Sequence, residues 1–403
     1  MSSFIENLEK DYWQLTIPLV AAIIGWFTNW VAIKMMFHPL DFVGIKPFLG
    51  WQGIIPANAV RLARTGLELV TSSVLKVPQL FDDFDAKKLV DNESAKLNAL
   101  VRTAIEQKAK EHLPQMWAAL SPQIREQVFA LAENEVRQMS VEVFEAAAGD
   151  IENLIDVKRI VTDAVKRDKR LMNETFLTVG RKEFKFIEYS GFWFGLVFGV
   201  PQLILWLMFP ASWSLPAFGF VVGYATNWLA LWLIFEPKQP RKFLWTSVQG
   251  LFHRRQKEIA KGFANVVSQR VFNNDNLFRE ISSGESRRKL LAIVDRKAQE
   301  LIARSQSNPM VAMAMKPELV AQLRTDLLRD VEAEMFRPGS LVQQFVDKSE
   351  RIRATLAERM AVMEPDAFEN VLRPAFKQDE WKLIVAGAVL GLAVGLVQVT
   401  WYL

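Results

Sequence analysis

The sequence predicts an all-α membrane protein made by tandem duplication. Each repeat is a transmembrane helix, a large amphipathic helical domain and a second transmembrane helix, four transmembrane helices in all. Three observations predict this. Four stretches stay apolar over the roughly 20 residues that cross a bilayer. The first half of the chain matches the second. Between the apolar stretches, hydrophobic residues recur at helical spacing among charges. Composition agrees, because a chain that is 50% hydrophobic yet 23% charged suits apolar spans alternating with charged helical regions. An excess of Trp over Tyr, 13 against 4, fits a bilayer interface.

The first span is placed at 12–38, its apolar part running from Leu15 to Phe37. Its flank, MSSFIENLEKDYWQ, is acidic, and no small-residue cleavage site follows, so it does not read as a cleaved signal peptide. A helical extramembrane domain follows at 39–188. Ser121-Pro122 marks a helix start there, a capping residue followed by Pro at the first helical position. Ile124, Val128, Leu131, Ala132, Val136, Met139 and Val143 form a stripe, and Gly149-Asp150 marks a break. The second span is placed at 189–210 and the third at 213–236. The second helical domain, 237–380, carries the stripe Leu290, Leu291, Val294, Ala298, Leu301 and Ile302, with Pro309, Pro317, Pro338 and Pro365 as interruptions. The fourth span is placed at 381–403. No alternating β-branched run demands a sheet.

The stripes read first as helix-on-helix core. The segment FVGIKPFLGWQGIIP reads as lipid-contacting, with Phe42, Phe48 and Trp51 at headgroup depth and Phe243, Leu244 and Trp245 in the second half. Basic residues set the orientation: Lys34, Lys46, Arg181, Lys182, Lys185, Lys238, Arg241, Lys242, Lys377 and Lys382 all flank the long segments. The rule that such residues stay inside places both large domains in the cytoplasm, and the termini and the uncharged PASWSLP link outside.

The duplication is read residue by residue. Gly25, Thr28, Asn29, Trp30, Ala32, Phe37 and Pro39 match Gly223, Thr226, Asn227, Trp228, Ala230, Phe235 and Pro237. Gln52-Gly53 matches Gln249-Gly250. Gly191, Gly195, Leu196, Gly199 and Gln202 match Gly387, Gly391, Leu392, Gly395 and Gln398. Each unit crosses twice, so the copies run in the same sense and are expected about a pseudo-two-fold along the membrane normal.

Four polar residues, Thr28, Asn29, Thr226 and Asn227, fall inside spans, where an amide costs free energy unless hydrogen-bonded. One expectation is that the two asparagines, or their threonines, bond across the pseudo-two-fold and lock the spans. The other is a site for a polar solute or ion near the midplane. Gly191, Gly195 and Gly199, and likewise Gly387, Gly391 and Gly395, share a helix face and predict close helix packing. Gln202 and Gln398 end those faces, placed to bond each other or line an opening.

Signals for catalysis, cofactors and metals are lacking. Cys is absent, and His38, His112 and His253 are scattered with no zinc-type spacing. No phosphate-binding glycine loop or nucleophile elbow occurs. The acidic FDDFD at 81–85 reads as a turn with a capping Asp. The net charge of +4, with no groove-reading motif, argues against a nucleic-acid partner.

Together G-x-x-T-N-W, Q-G-I-I-P, F-I-E-Y-S-G-F-W-F-G and D-E-W-K-L-I-V-A-G resemble the YheB/YjiN-like family of bacterial membrane proteins over nearly the whole chain. The resemblance implies a location in the cytoplasmic membrane and names no substrate. Copy two departs from it, with Gly250-Leu251-Phe252-His253 where copy one has Gly53-Ile54-Ile55-Pro56. The expected function is a non-catalytic, lipid-interacting or envelope scaffold. The alternative is a transporter or channel, for which an oligomer of this four-span chain is expected.

Overall fold

The computed structural model describes residues 12–45, 49–208, 211–243, 246–306, 317–373, 377 and 380–402. In chain order, the elements used below start with α1 (Ile17–Phe37), β1 (Val43–Ile45), β2 (Leu49–Trp51), α2 (Ala59–Ser73), α3 (Ala86–Asn92), α4 (Ser94–His112) and α5 (Pro122–Gly149). Then come α6 (Arg170–Met208), α7 (Ser214–Phe235), β3 (Arg241–Phe243), β4 (Thr246–Val248), α8 (Gln256–Val266), α9 (Asn274–Ile281) and α10 (Gly284–Gln306). The last are α11 (Pro317–Met335), α12 (Leu341–Val346), α13 (Pro365–Leu372) and α14 (Glu380–Tyr402). The chain is predominantly helical. Four helices, α1, α6, α7 and α14, are long and apolar enough to cross a membrane. Two compact units result: one from 1–74, 161–267 and 353–403, the other from 75–160 and 268–352.

The first unit contains the four apolar helices. α1 packs chiefly on α6 and α7 on α14, and the pairs join through α6 against α7 and α1 against α14. Outward-facing side chains on all four are large and apolar: Leu19, Ile23, Trp193, Phe220, Trp228 and Val389 are all exposed, from 44% for Phe220 to 63% for Trp193. Water does not favour so continuous an apolar belt; hydrocarbon does.

Both α1 and α7 stop at a residue before proline, which cannot extend a helix. The His38 N–H closes α1 on the Lys34 carbonyl at 2.9 Å, and the Glu236 N–H closes α7 on the Trp232 carbonyl at 2.7 Å. A two-stranded antiparallel hairpin follows each, pairing Val43 with Trp51 and Arg241 with Val248. The same two bonds pin both hairpins. The Gly53 N–H reaches the Pro39 carbonyl and the Gly250 N–H the Pro237 carbonyl, each at 2.9 Å. Gln52 Nε2 donates to the Leu40 carbonyl at 2.7 Å and Gln249 Nε2 to the Lys238 carbonyl at 3.0 Å. A Cβ at Gly53 would lie 2.8 Å from the backbone at Phe37 and His38, which is why the close return needs glycine.

These hairpins add two short sheets to a chain expected to be all-α, in which no run demanded one. Each strand has three residues, too few for a period of two to register in sequence. The lipid-contacting segment expected after the first span is therefore hairpin rather than helix. Val43 and Ile45 on it are exposed, Phe42 is half-buried, and Trp51 Nε1 donates to the Met35 carbonyl at 3.2 Å. Phe48, Leu244 and Trp245 lie outside the described residues. The span expected at 189–210 is the second part of a 39-residue helix. That helix starts at Arg170 because 170–188 also buries a face, with Leu171, Phe176, Val179 and Ile187 turned inward.

In the second unit, α5 packs on α3, α4 and α10. Phe345, fully buried, meets the rings of Phe81, Phe84 and Phe144 at 5.1, 5.0 and 5.4 Å. The helix start expected at Ser121-Pro122 is present, with Ser121 Oγ accepting from the Ile124 N–H at 3.3 Å, and α5 ends at Gly149. The α10 stripe is core: Leu290, Val294 and Ala298 are buried. The α5 stripe is core only in its second half, where Met139 and Val143 are buried, whereas Ile124 and Leu131 are exposed.

Candidate functional site

Thr28, Asn29, Thr226 and Asn227 sit in the middle turns of α1 and α7, and none is more than 3% exposed. Asn29 Nδ2 donates to the Ile187 carbonyl of α6 at 2.6 Å, and Asn227 Nδ2 donates to the Leu383 carbonyl of α14 at 2.8 Å. In an α-helix the carbonyl of one residue is bonded by the N–H four positions on. The side chain at that fourth position would ordinarily cover it. Those positions here are Gly191 and Gly387, and a Cβ on either would collide with the visiting amide. Glycine on one helix thus uncovers a carbonyl for asparagine on the other.

The expected bond between the two asparagines is accordingly not formed; a nearer backbone acceptor takes each amide. Nor do the threonines reach across. Thr28 Oγ1 and Thr226 Oγ1 donate to the Gly25 and Gly223 carbonyls of their own helices at 3.2 and 3.3 Å.

The glycine faces lie where helices touch backbone to backbone. A Cβ at Gly195 would strike the Ala21 carbonyl, and one at Gly391 the Gly219 carbonyl. At Gly199 it would lie 2.6 Å from Pro18 Cα, and at Gly395 2.6 Å from the Leu215 carbonyl. Gln202 and Gln398 are both buried and line one cavity with Thr28, Gly25 and Gly219. Its volume is about 10 Å³, room for about one water. Among the described residues, Gln398 Nε2 and the Oδ1 atoms of Asn29 and Asn227 have no hydrogen-bond partner.

Charged groups tie the ends of these helices. Lys169 pairs with Asp41, and Lys238 Nζ with Asp366 at 2.7 Å. Both pairs span 128 residues with the signs exchanged. Buried Glu183 on α6 takes the Arg255 guanidinium at 2.5 Å, and Arg255 also holds Glu258 at 2.9 Å. The Arg255 hydrogen bond, with that of Lys182 added, holds the Glu258 carboxyl down to about 2. Sequence reasoning passed over these pairs. The signal available was opposite charge at matching positions, Asp41 against Lys238 and Lys169 against Asp366.

The histidines stay apart. His38 caps α1. His253 is buried, with Nε2 3.2 Å from a Glu369 oxygen. His112 lies with Glu111 and Asp326, the three ligand atoms within 4.8 Å of one another. Lys108 Nζ stands 3.3 and 3.2 Å from those two carboxylates, so the cluster reads as an ion-pair network. In FDDFD, Asp85 accepts from the Lys88 N–H at 2.8 Å as the cap of α3, and Asp83 pairs with Arg351 at 2.8 Å.

No protein-family model matches the chain, and no solved structure matches it. Curated relatives do. Over 89 residues the chain is 41% identical to a UPF0754 membrane protein of Microcystis aeruginosa, covering 22% of this chain and 21% of that one. Over 100 residues it is 33% identical to a UPF0754 membrane protein of Thermosynechococcus vestitus, 24% of each chain. Over 96 residues it is 38% identical to one of Nostoc punctiforme, 22% of each. The matched region spans between a fifth and a quarter of these relatives. They are bacterial membrane proteins, the class that the motif resemblance implied, under a different family name.

Proposed function

We propose that the chain is a duplicated, multi-pass protein of the bacterial cytoplasmic membrane, non-catalytic, that interacts with lipid and acts as an envelope scaffold. The observation that carries this reading is the belt of large exposed apolar side chains around α1, α6, α7 and α14. The buried asparagines inside that belt are engaged with backbone carbonyls, the role of a lock between helices. The duplication is supported by the paired features of the two halves: the asparagine–carbonyl bonds, the pinned hairpins and the sign-exchanged ion pairs. In this reading both long segments face the cytoplasm, where Lys and Arg accumulate.

A transporter reading draws on the Gln398 amide and the oxygens of Asn29 and Asn227, all buried and, among the described residues, without a hydrogen-bond partner. The cavity that Gln398 lines has space for about one water, so passage of a solute requires the helices to part. Native mass spectrometry of the protein from a mild detergent separates the two readings. A monomer or dimer that retains stoichiometric lipid is expected. A larger closed ring free of lipid would overturn the scaffold reading in favour of a pore.

A further inference from the structure

The second unit contains a cavity of about 480 Å³ between α4, α5, α10 and α11, within the size range of small-molecule sites. Its wall is almost entirely hydrocarbon, with Val101, Ala104 and Ile105 from α4, Val136 and Val143 from α5, and Val331 from α11. Protein interiors rarely leave such space, since a void forfeits the dispersion contacts of every atom that lines it. Water does not fill it well either, because each water needs two to four polar partners. At the mouth, Leu100 and Leu327 are 39% and 38% exposed, so the apolar wall continues to the surface.

The rim is charged, and its charges differ in how they are held. Asp330 lies 4.0 Å from Lys108, Glu334 lies 3.4 Å from Arg337, and Glu93 accepts from Gln344 at 3.1 Å. Among the described residues, the contact of the Lys96 ammonium is the neutral Gly339 carbonyl, at 3.5 Å. The rim thus has one cation, Lys96, with an uncharged contact among the described residues; Asp330 and Glu334 have cationic partners, and Glu93 has a neutral one.

We infer that this cavity takes one long hydrocarbon chain of an amphiphile whose anionic head meets Lys96. The inference rests on the lipid reading above and gives it a site and a ligand class. A free fatty acid and an anionic phospholipid share this chemistry.

The test uses the whole chain in phosphatidylethanolamine vesicles. The probe is a diazirine-bearing palmitate or a phosphatidylglycerol carrying the same chain, and labelled peptides are mapped by mass spectrometry. Label is expected on α4 and α11 around Leu100 and Leu327. Ala104→Trp and Val136→Phe fill empty space, so each should cut that labelling by about tenfold with the melting temperature held. Lys96→Glu should weaken labelling and leave the melting temperature unchanged. Labelling by the palmitate alone assigns the free acid; labelling by the phospholipid assigns the bilayer lipid. Absence of label from the second unit overturns the inference, as does label undiminished in both filled variants. A fall in melting temperature in both variants overturns it too, because the space would already be occupied by protein. Lipid retained in native mass spectra without label in the second unit leaves the scaffold reading standing and removes only the cavity.

Discussion

Asn29 and Asn227 each place an amide against a carbonyl that already serves its own helix. An amide buried in hydrocarbon without that acceptor would be costly, so the bond fixes both the register and the separation of α1 on α6 and of α7 on α14. Leucine has nearly the shape of asparagine and removes the bond without opening a cavity. Asn29→Leu and Asn227→Leu should each lower stability by about 0.5–2 kcal/mol, the range for hydrogen bonds between membrane helices. Thermal unfolding in detergent measures this, with the double variant close to the sum because the sites have separate acceptors. A double variant of unchanged stability that loses solute flux would instead make the asparagines part of a transport site. The Thr-Asn pairs were visible in sequence as polar residues inside spans and as a repeated motif. Their acceptors were not, because a backbone carbonyl carries no residue identity and is uncovered only when the partner helix brings a glycine to the right turn.

Whole helices meet here through their backbones, and this makes the glycine positions sharply unequal. Gly195 and Gly391 face carbonyls that cannot move without displacing a helix. Gly195→Leu and Gly391→Leu should therefore cost at least about 3 kcal/mol, the upper range of overpacking, and broaden or shift the particle in size-exclusion chromatography. Gly66, in the interior of α2, has nothing within 4 Å of an added Cβ. Gly66→Ala should raise stability by about 0.5–1 kcal/mol, since only helix propensity changes. Melting curves of the three variants test the contrast; a stable, native-sized Gly391→Leu particle would mean that α7 and α14 are not in backbone contact. At this scale the apolar helices, the Ser121 cap and the glycine faces could be read from composition and spacing alone. The hairpins could not, being shorter than any periodicity. The start of α6 was missed because an apolar window finds where a helix enters hydrocarbon, whereas that helix begins further back, on a partly charged surface.

The second unit constrains the topology of the whole chain. Its two segments, 75–160 and 268–352, fold together, so they must emerge on the same side of any bilayer the chain crosses. Between them lie α6 and α7, and two crossings return the chain to the side it left. Parity thus agrees with both helices spanning, and a single span there would pull the unit apart. Which side it occupies is a question of charge; the proposed reading, by the rule that basic residues stay inside, puts it in the cytoplasm. The chain contains no cysteine, so an introduced thiol is a probe without background. Ser212→Cys, exposed in the link between α6 and α7, should react with a membrane-impermeant maleimide added to intact spheroplasts. Gln138→Cys, exposed on α5, should react only after the membrane is permeabilised. The reverse pattern would turn the protein over and place the second unit outside the cytoplasm. Equal labelling of both in intact spheroplasts would put the link and α5 on one side and break the parity on which the four-span reading depends.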